Sequence, residues 1–409
     1  MTKTKAFTCN IYYKFYNIFQ SLSDFLYNTP IKFSESILPL ICLLPFVSGI
    51  FVKLTRHIHE FIDAETIVCA GQNVLIHTSP YAAAAHCGRM EPARFVYPPI
   101  TAWFEAAIQP HISATGVVLI YGFIYFSIFF AIVRASLQKD SLLYWRGPFL
   151  LCFSASGLLA GNVSVIFHGL LFFIAIGTVA WPIFLWPAIV FAGVLKPTFA
   201  VYSGVFLFQR NLNMIRRLAL GCSAVVAIGL IMVWTFHANP PEFLQWLKRL
   251  HAVNTYSDFV QGHSFLVSLE MIGIHNPQTE MMLYVPFAAV MLLAGLAVIH
   301  HADLSAKESV LLGISICLLL YPRLLDYDEY TLPFGLAVLA ASFDLVRWPG
   351  GIWFRRILLG GCLIFALVGG FRGGVILYWF SVILLLTLAT QLLIQTRDKK
   401  KLYAPTASL

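Results

Sequence analysis

Long apolar stretches broken by short polar joints set the pattern of this 409-residue chain. The first, at about 37–55, has the length that the ~30 Å hydrocarbon core of a bilayer demands of a helix, about 20 residues. Further apolar runs lie at about 111–133, 148–160, 163–179, 181–194, 197–208, 217–236, 281–299, 307–322, 328–346, 356–371 and 374–395. Several are too short for an upright crossing, so broken helices are expected among them. The pattern predicts an all-α polytopic membrane protein of about 12 transmembrane helices, with both termini on one side. Segment 1–36 reads as a cytoplasmic N-terminal stretch, 37–395 as a single transmembrane domain and 396–409 as a cytoplasmic tail. Two polar loops, 56–98 and 237–280, fall on the outer side. After the first, the moderately apolar segment 96–109 opens with Tyr97-Pro98-Pro99 and reads as a dip into the membrane or a short interfacial helix. Within the second, Phe243, Leu247 and Leu250 recur at helical spacing with Glu242, Gln245, Lys248 and Arg249 between them, the pattern of a helix lying flat on the outer leaflet. No repeat of fixed period is visible.

Composition sharpens this picture. Apolar residues make up 59% and charged residues 11%, against about 25% charged in soluble domains. A water-soluble globule of this size would lack the polar residues to cover itself. The net charge of +8 follows the membrane rather than a nucleic acid: 18 of the 27 Lys and Arg fall in the segments assigned to the inside, as cytoplasmic loops require. Of the eight cysteines, Cys42, Cys152, Cys222, Cys317 and Cys362 sit in apolar runs as small core residues. Cys69 and Cys87 share the first outer loop and could pair if that loop faces an oxidising compartment.

With this topology the polar outliers collect at the outer face, where ionisable groups at membrane depth are expensive and tend to mark function. Asp63 follows the first span. It reads either as a partly desolvated general base or as a solvated loop acid beside Glu60 and Glu65. Lys196, before Pro197, and Arg323 are cations at the ends of apolar runs, able to hold a phosphate or simply to snorkel to the head groups. His263, between Gly262 and Ser264, could donate to a phosphate or sugar hydroxyl, or be a solvated loop histidine. His57, His59 and Asp63 make at most an incomplete metal shell. A phosphate-cradling loop, a dinucleotide fingerprint and a nucleophile elbow are all absent from the sequence. Beside a transferase, a transporter or lipid flippase and a lipid-linked glycan polymerase or ligase are the competing classes.

Six short elements, in order over about 60–335, carry a resemblance. They are Asp63 with Ser79-Pro80-Tyr81 and Phe95-Val96-Tyr97-Pro98-Pro99; Gly157 to Ser164, including Gly161-Asn162; Gly193-Val194-Leu195-Lys196-Pro197; Gln261-Gly262-His263-Ser264-Phe265; and Tyr321-Pro322-Arg323 with Tyr327-Asp328. Together they resemble glycosyltransferase family 87 of the GT-C superfamily, membrane enzymes that use polyprenyl-phosphate sugars. The chain departs from the family pattern in lacking a Gln in the Gly161-Asn162 element. It also has Gly262 and His263 where the family has Asn and Gln.

The resemblance implies a GT-C type fold with interfacial helices in its outer loops. It implies inverting transfer of mannose or another hexose or pentose from a polyprenyl-phosphate donor to a glycan or glycolipid acceptor. The site would lie on the extracytoplasmic face of a bacterial inner membrane, among membrane lipids and without nucleic acid. By position Asp63 becomes the general base, and Arg323, Lys196 and His263 the groups facing the donor phosphate. Tyr97, Asn162, Ser264, Tyr327 and Asp328 become the substrate-binding set. No cofactor is implied, and a divalent metal is left open.

Overall fold

A computed structural model describes residues 37–55, 61–82, 87, 94–153, 155–255, 262–345 and 371–402. Among these residues the secondary structure is helical throughout, without a strand. In chain order the helices are α1 (Ile37–Thr55), α2 (Ile62–Leu75), α3 (Pro99–Ile108), α4 (Ala114–Ser136), α5 (Leu143–Phe149) and α6 (Ala155–Ala160). Then come α7 (Val163–Gly177), α8 (Leu185–Leu195), α9 (Met214–Ala238), α10 (Pro240–Thr255), α11 (Phe265–Met271) and α12 (Pro277–His301). The last are α13 (Ala306–Leu319), α14 (Leu332–Ser342) and α15 (Phe371–Leu402). A run of 3-10 helix, Pro197–Phe208, lies between α8 and α9.

Among the described residues, four helical segments are long and apolar enough to cross a membrane: α4, α9, α12 and Gly374–Arg397 of α15. Their 23 to 25 residues reach beyond 30 Å at ~1.5 Å per residue. Among the described residues, the helices at the other expected spans are shorter. The stretch 148–160 is broken into the end of α5, a 3-10 turn at Leu150–Cys152 and the six-residue α6. Pro148 lies inside α5, one residue before its end, and the break follows it. The 12-residue run 197–208 is 3-10 throughout, which at ~2.0 Å per residue extends about 24 Å, farther than an α-helix of that length. The run expected at 356–371 lies almost wholly outside the described residues, as do 1–36 and the end of the tail.

One core joins the helices. The 3-10 run packs between α8, α9 and α13; α13 packs on α14, α12 on α15, α4 on α7, and α1 on α5. A second, smaller core of Ile67, Ala70, Tyr81, Phe95, Tyr97, Ala102 and Trp246 lies under the first polar loop. There α2 packs against α3, and α3 stops at ten residues, well short of a crossing, with Pro98 as its N-cap and Pro99 at its first position.

Helix α10 has protein contacts that its apolar spacing does not foretell. Phe243, Trp246 and Leu250 pack on the small core. The Trp246 indole N–H donates to the Val96 carbonyl at 3.0 Å. The Trp103 indole N–H donates to Glu242 at 3.0 Å, and Arg249 donates to the Tyr81 carbonyl at 2.6 Å. Leu244 and Leu247 are left exposed along the other edge. Indole and guanidinium donors that find backbone partners tie the helix to protein, which an apolar spacing cannot foretell. Cys69 and Cys87 form a disulfide, with Cα atoms 5.4 Å apart, that closes this loop onto α2.

Candidate functional site

Asp63 sits in the first turn of α2, and its position is fixed by a tight junction just before it. Phe61 adopts a left-handed conformation, φ 64°, and its N–H donates to the Leu159 carbonyl at 2.8 Å. Directly opposite, Gly161 turns the chain between α6 and α7 with φ 66°. A Cβ on Gly161 would lie 2.8 Å from the Phe61 ring and 3.0 Å from its Cα, so only glycine lets these two segments meet. The Tyr121 hydroxyl donates to the Gly161 carbonyl at 2.8 Å and closes the junction from α4.

The next residue does two jobs. The Asn162 side-chain oxygen caps α7 by accepting from the Ser164 N–H at 2.9 Å. Its amide nitrogen donates to the Asp63 carboxylate at 2.8 Å. The Lys196 ammonium donates to the Ser164 hydroxyl and stands 3.8 Å from Asp328. Asp328 is fully buried. It accepts from the Leu325 N–H at 3.0 Å and contacts the His168 Nε2 at 3.0 Å, and His168 Nδ1 meets the Tyr202 hydroxyl at 2.7 Å. Thus Asp63, Asn162, Ser164, Lys196, Asp328, His168 and Tyr202 form one polar ladder, running from the end of α2 into the helix bundle.

The sequence places these groups for local reasons. Lys196 is extended (φ −144°) because Pro197 cannot continue α8, and that break aims the ammonium across to the start of α7. The Thr101 hydroxyl donates to the Leu195 carbonyl at 3.0 Å, satisfying an orphan at the C-terminus of α8. Tyr97 is buried with its hydroxyl among Asn162, Asp63 and Asp328. Tyr327 lies under the Lys196 ammonium, 5.6 Å from ring centre to nitrogen, and both Asp63 and Arg323 act on it electrostatically. Arg323 also lies within electrostatic reach of Lys196.

Six of the nine residues singled out by sequence, Asp63, Tyr97, Asn162, Lys196, Tyr327 and Asp328, therefore share one neighbourhood, with Arg323 at its edge. His263 and Ser264 take other positions. His263 is buried, with Nδ1 2.8 Å from Glu329 and Nε2 3.5 Å from Asp326, and its N–H donates to the Leu324 carbonyl at 2.7 Å. Ser264 donates to the Pro322 carbonyl and caps α11 by accepting from the Val267 N–H at 3.3 Å. Both pin the 322–329 loop from behind, the loop that carries Arg323, Tyr327 and Asp328.

Burial raises the Asp63 pKa above the ordinary carboxylate value, while Asn162 and Lys196 hold part of it back. A carboxylate so poised is more basic than a solvated one and still has a cation nearby. For His263, burial alone would depress the pKa. The Glu329 and Asp326 carboxylates overcome that and raise it above the usual histidine range.

The sequence reading passed over His168, Tyr202 and Glu329. A histidine inside the apolar run 163–179 was the available signal, since intramembrane ionisable residues are rare and usually have partners. Among the described residues, no group of three or more His, Cys, Asp or Glu side chains is arranged to hold a metal ion. His57 and His59 lie outside the described residues. Comparison of the chain with protein-family models, with curated proteins and with solved structures finds no match.

Proposed function

We propose that this protein is a membrane glycosyltransferase of the GT-C type. It moves a sugar, mannose or a related hexose or pentose, from a polyprenyl-phosphate donor to a hydroxyl of a glycan or glycolipid acceptor, with inversion at the anomeric carbon. The observation that carries the reading is the convergence of a buried carboxylate of raised basicity, Asp63, with the Lys196 ammonium and the Asn162 amide at a break between membrane helices. The Cys69–Cys87 disulfide supports an oxidising, extracytoplasmic setting for the loop that follows Asp63, as on the outer face of a bacterial inner membrane.

In this reading the acceptor hydroxyl attacks the anomeric carbon as the bond from that carbon to the phosphate oxygen breaks. Its proton passes to Asp63, and the leaving group departs as polyprenyl phosphate. Asn162 orients the carboxylate. Lys196 and Arg323 meet the charge that grows on the phosphate, the kind of fixed complementarity that contributes most when water is excluded. Asp328, held by His168 and the Leu325 N–H, keeps Lys196 in place between substrate turnovers. The buried His168–Asp328 pair also favours a second reading, a proton-coupled transporter, because such pairs relay protons within membranes.

Asp63→Asn decides between them. The amide keeps the size of the side chain and removes the base. Sugar transfer from a labelled polyprenyl-phosphate donor should fall at least a thousandfold, the upper range for loss of a general base, while the purified variant elutes and melts as the wild type. Full transfer activity in Asp63→Asn would remove Asp63 from the chemistry. Substrate movement into vesicles without a new glycosidic bond would favour the transporter.

A further inference from the structure

A second polar site lies at the opposite end of the bundle. Helix α9 is 25 residues long, about 37 Å at ~1.5 Å per residue. Its C-terminal end leads into α10, which is docked on the Tyr97 core, so its N-terminal end stands across the bundle from Asp63. At that N-terminal end a cavity of about 350 Å³ opens between α9 and the last turn of α12. It is lined by Arg210, Met214 and Arg217 and, from α12, by Ala297, His300 and His301.

The two guanidiniums lie within electrostatic reach of each other, an arrangement that an anion between them would relieve. Arg210 donates to the Leu304 carbonyl and to the exposed Asp303 carboxylate at 3.2 Å. Arg217 uses Nε and one Nη on the Leu212 and Leu207 carbonyls at 2.8 and 3.0 Å. Backbone bonds thus fix both planes, and among the described residues their one acidic partner, Asp303 on Arg210, is solvated and weak. The apolar side of the opening continues onto the outer face of α9, where Ile215 is 79% exposed and Met214 and Leu218 are exposed beside it. His301 reaches Thr396 of α15 at 3.2 Å, and the exposed Arg397 follows at once. Cations and an apolar ramp therefore meet at one end of the bundle.

We propose that this cavity is a binding site for the phosphate head group of an anionic phospholipid, with its acyl chains along the exposed face of α9. Basic pockets between membrane helices take such head groups, and each Lys or Arg near the surface contributes about 1 kcal/mol, about fivefold in affinity. Free phosphate shares the anion but not the chains, so the ramp is what selects the lipid.

The test uses the full chain, purified in detergent and exposed to phosphatidylglycerol, phosphatidylcholine or inorganic phosphate. Bound lipid is counted by native mass spectrometry and melting is followed in parallel. Phosphatidylglycerol should be retained at least fivefold over phosphatidylcholine. Arg217→Gln should lose about fivefold of that preference, Arg217→Lys should keep most of it, and Lys248→Gln on α10 should not change it. Ala297→Phe places a ring in the cavity and keeps both arginines, so its loss of lipid supports the site even if Arg217→Gln misfolds. Equal retention of the two lipids, or wild-type retention by Ala297→Phe, would overturn the proposal. So would inorganic phosphate raising the melting temperature as much as phosphatidylglycerol does, since the site would then take a free anion.

Discussion

Replacing Asn162 separates the two duties of one side chain. Its oxygen caps α7 and its amide nitrogen holds Asp63. Asn162→Ser keeps a capping oxygen on a short side chain but cannot reach the carboxylate 2.8 Å beyond the amide. Serine and asparagine cap about equally well, whereas alanine costs about 1 kcal/mol at this position. A hydrogen bond to a charged group contributes about 1.5–3 kcal/mol, so loss of the donor disfavours ionised Asp63 by about 10- to 150-fold. The sign follows from the chemistry. Burial already raises the Asp63 pKa, and Asn162 is one of two groups that lower it, so removing Asn162 raises it further. The base acts only when ionised. The acidic limb of the pH–rate profile should therefore move to higher pH, and transfer measured on that limb should fall by about one to two powers of ten. At alkaline pH, where Asp63 is ionised in both proteins, the rates should converge. Asn162→Ser should melt close to wild type, while Asn162→Ala adds the lost cap and melts lower. An acidic limb that stays in place in Asn162→Ser would show that Asp63 is not the titrating base.

Other substitutions probe the frame around the site. Gly161→Ala forces a side chain into a left-handed turn, at about 1–2 kcal/mol, and pushes against Phe61. Both the melting temperature and transfer should drop, with Gly161→Asn the milder variant because asparagine tolerates that conformation. Joint Cys69→Ser and Cys87→Ser should cost about 3 kcal/mol, the value for closing a loop of this size, and reductant should lower the melting temperature of the wild type but not of the variant. In intact cells, those thiols should react with a membrane-impermeant reagent only after reduction. The Glu329 and Asp326 carboxylates raise the His263 pKa against burial, so its stabilisation is complete below the usual histidine pKa and is lost as pH rises through its raised folded value. Wild-type melting temperature should decline on that alkaline side, and His263→Gln should lack the decline while melting lower overall, by about 3–5 kcal/mol, because Glu329 is left buried without a counter-charge.

The membrane character, the short helix after Tyr97 and the local settings of Asn162 and Lys196 were legible from sequence because each has a local cause, whereas their meeting with Asp63 is tertiary. Apolar run length sets a span, Pro98-Pro99 starts α3, Asn162 caps α7 and Pro197 breaks α8. The His168–Asp328 pair was not legible, since its members are 160 residues apart and meet only through tertiary packing. The role of His263 was hidden for the same reason. Its partner Glu329 is 66 residues away, and only the fold brings Nδ1 to it. Nor could periodicity tell that 197–208 winds as 3-10 helix, because its apolar residues are uniform around the axis and leave no stripe to fix a period.

Charge bookkeeping argues for separate roles for the two aspartates. In the proposed mechanism Asp63 and Asp328 act beside Lys196, with Arg323 at the edge, two acids against two cations. A polyprenyl-phosphate sugar is a phosphodiester and brings one negative charge. After transfer the leaving phosphate monoester carries up to two, and a protonated Asp63 absorbs the difference. That exchange needs one carboxylate free to take a proton and one that keeps its charge. Asp328 receives bonds from His168 and the Leu325 N–H and pairs with Lys196, all of which favour the ionised form. Among the described residues, Asp63 has Asn162 as its one hydrogen-bond donor. Asp63→Asn should therefore remove turnover while leaving the fold intact. Asp328→Asn should strip Lys196 of its anchor, leave a buried cation unpaired at a cost of about 3–5 kcal/mol, and lower the melting temperature along with activity. If instead Asp328→Asn melts as wild type and loses only turnover, the assignment of base and anchor is reversed.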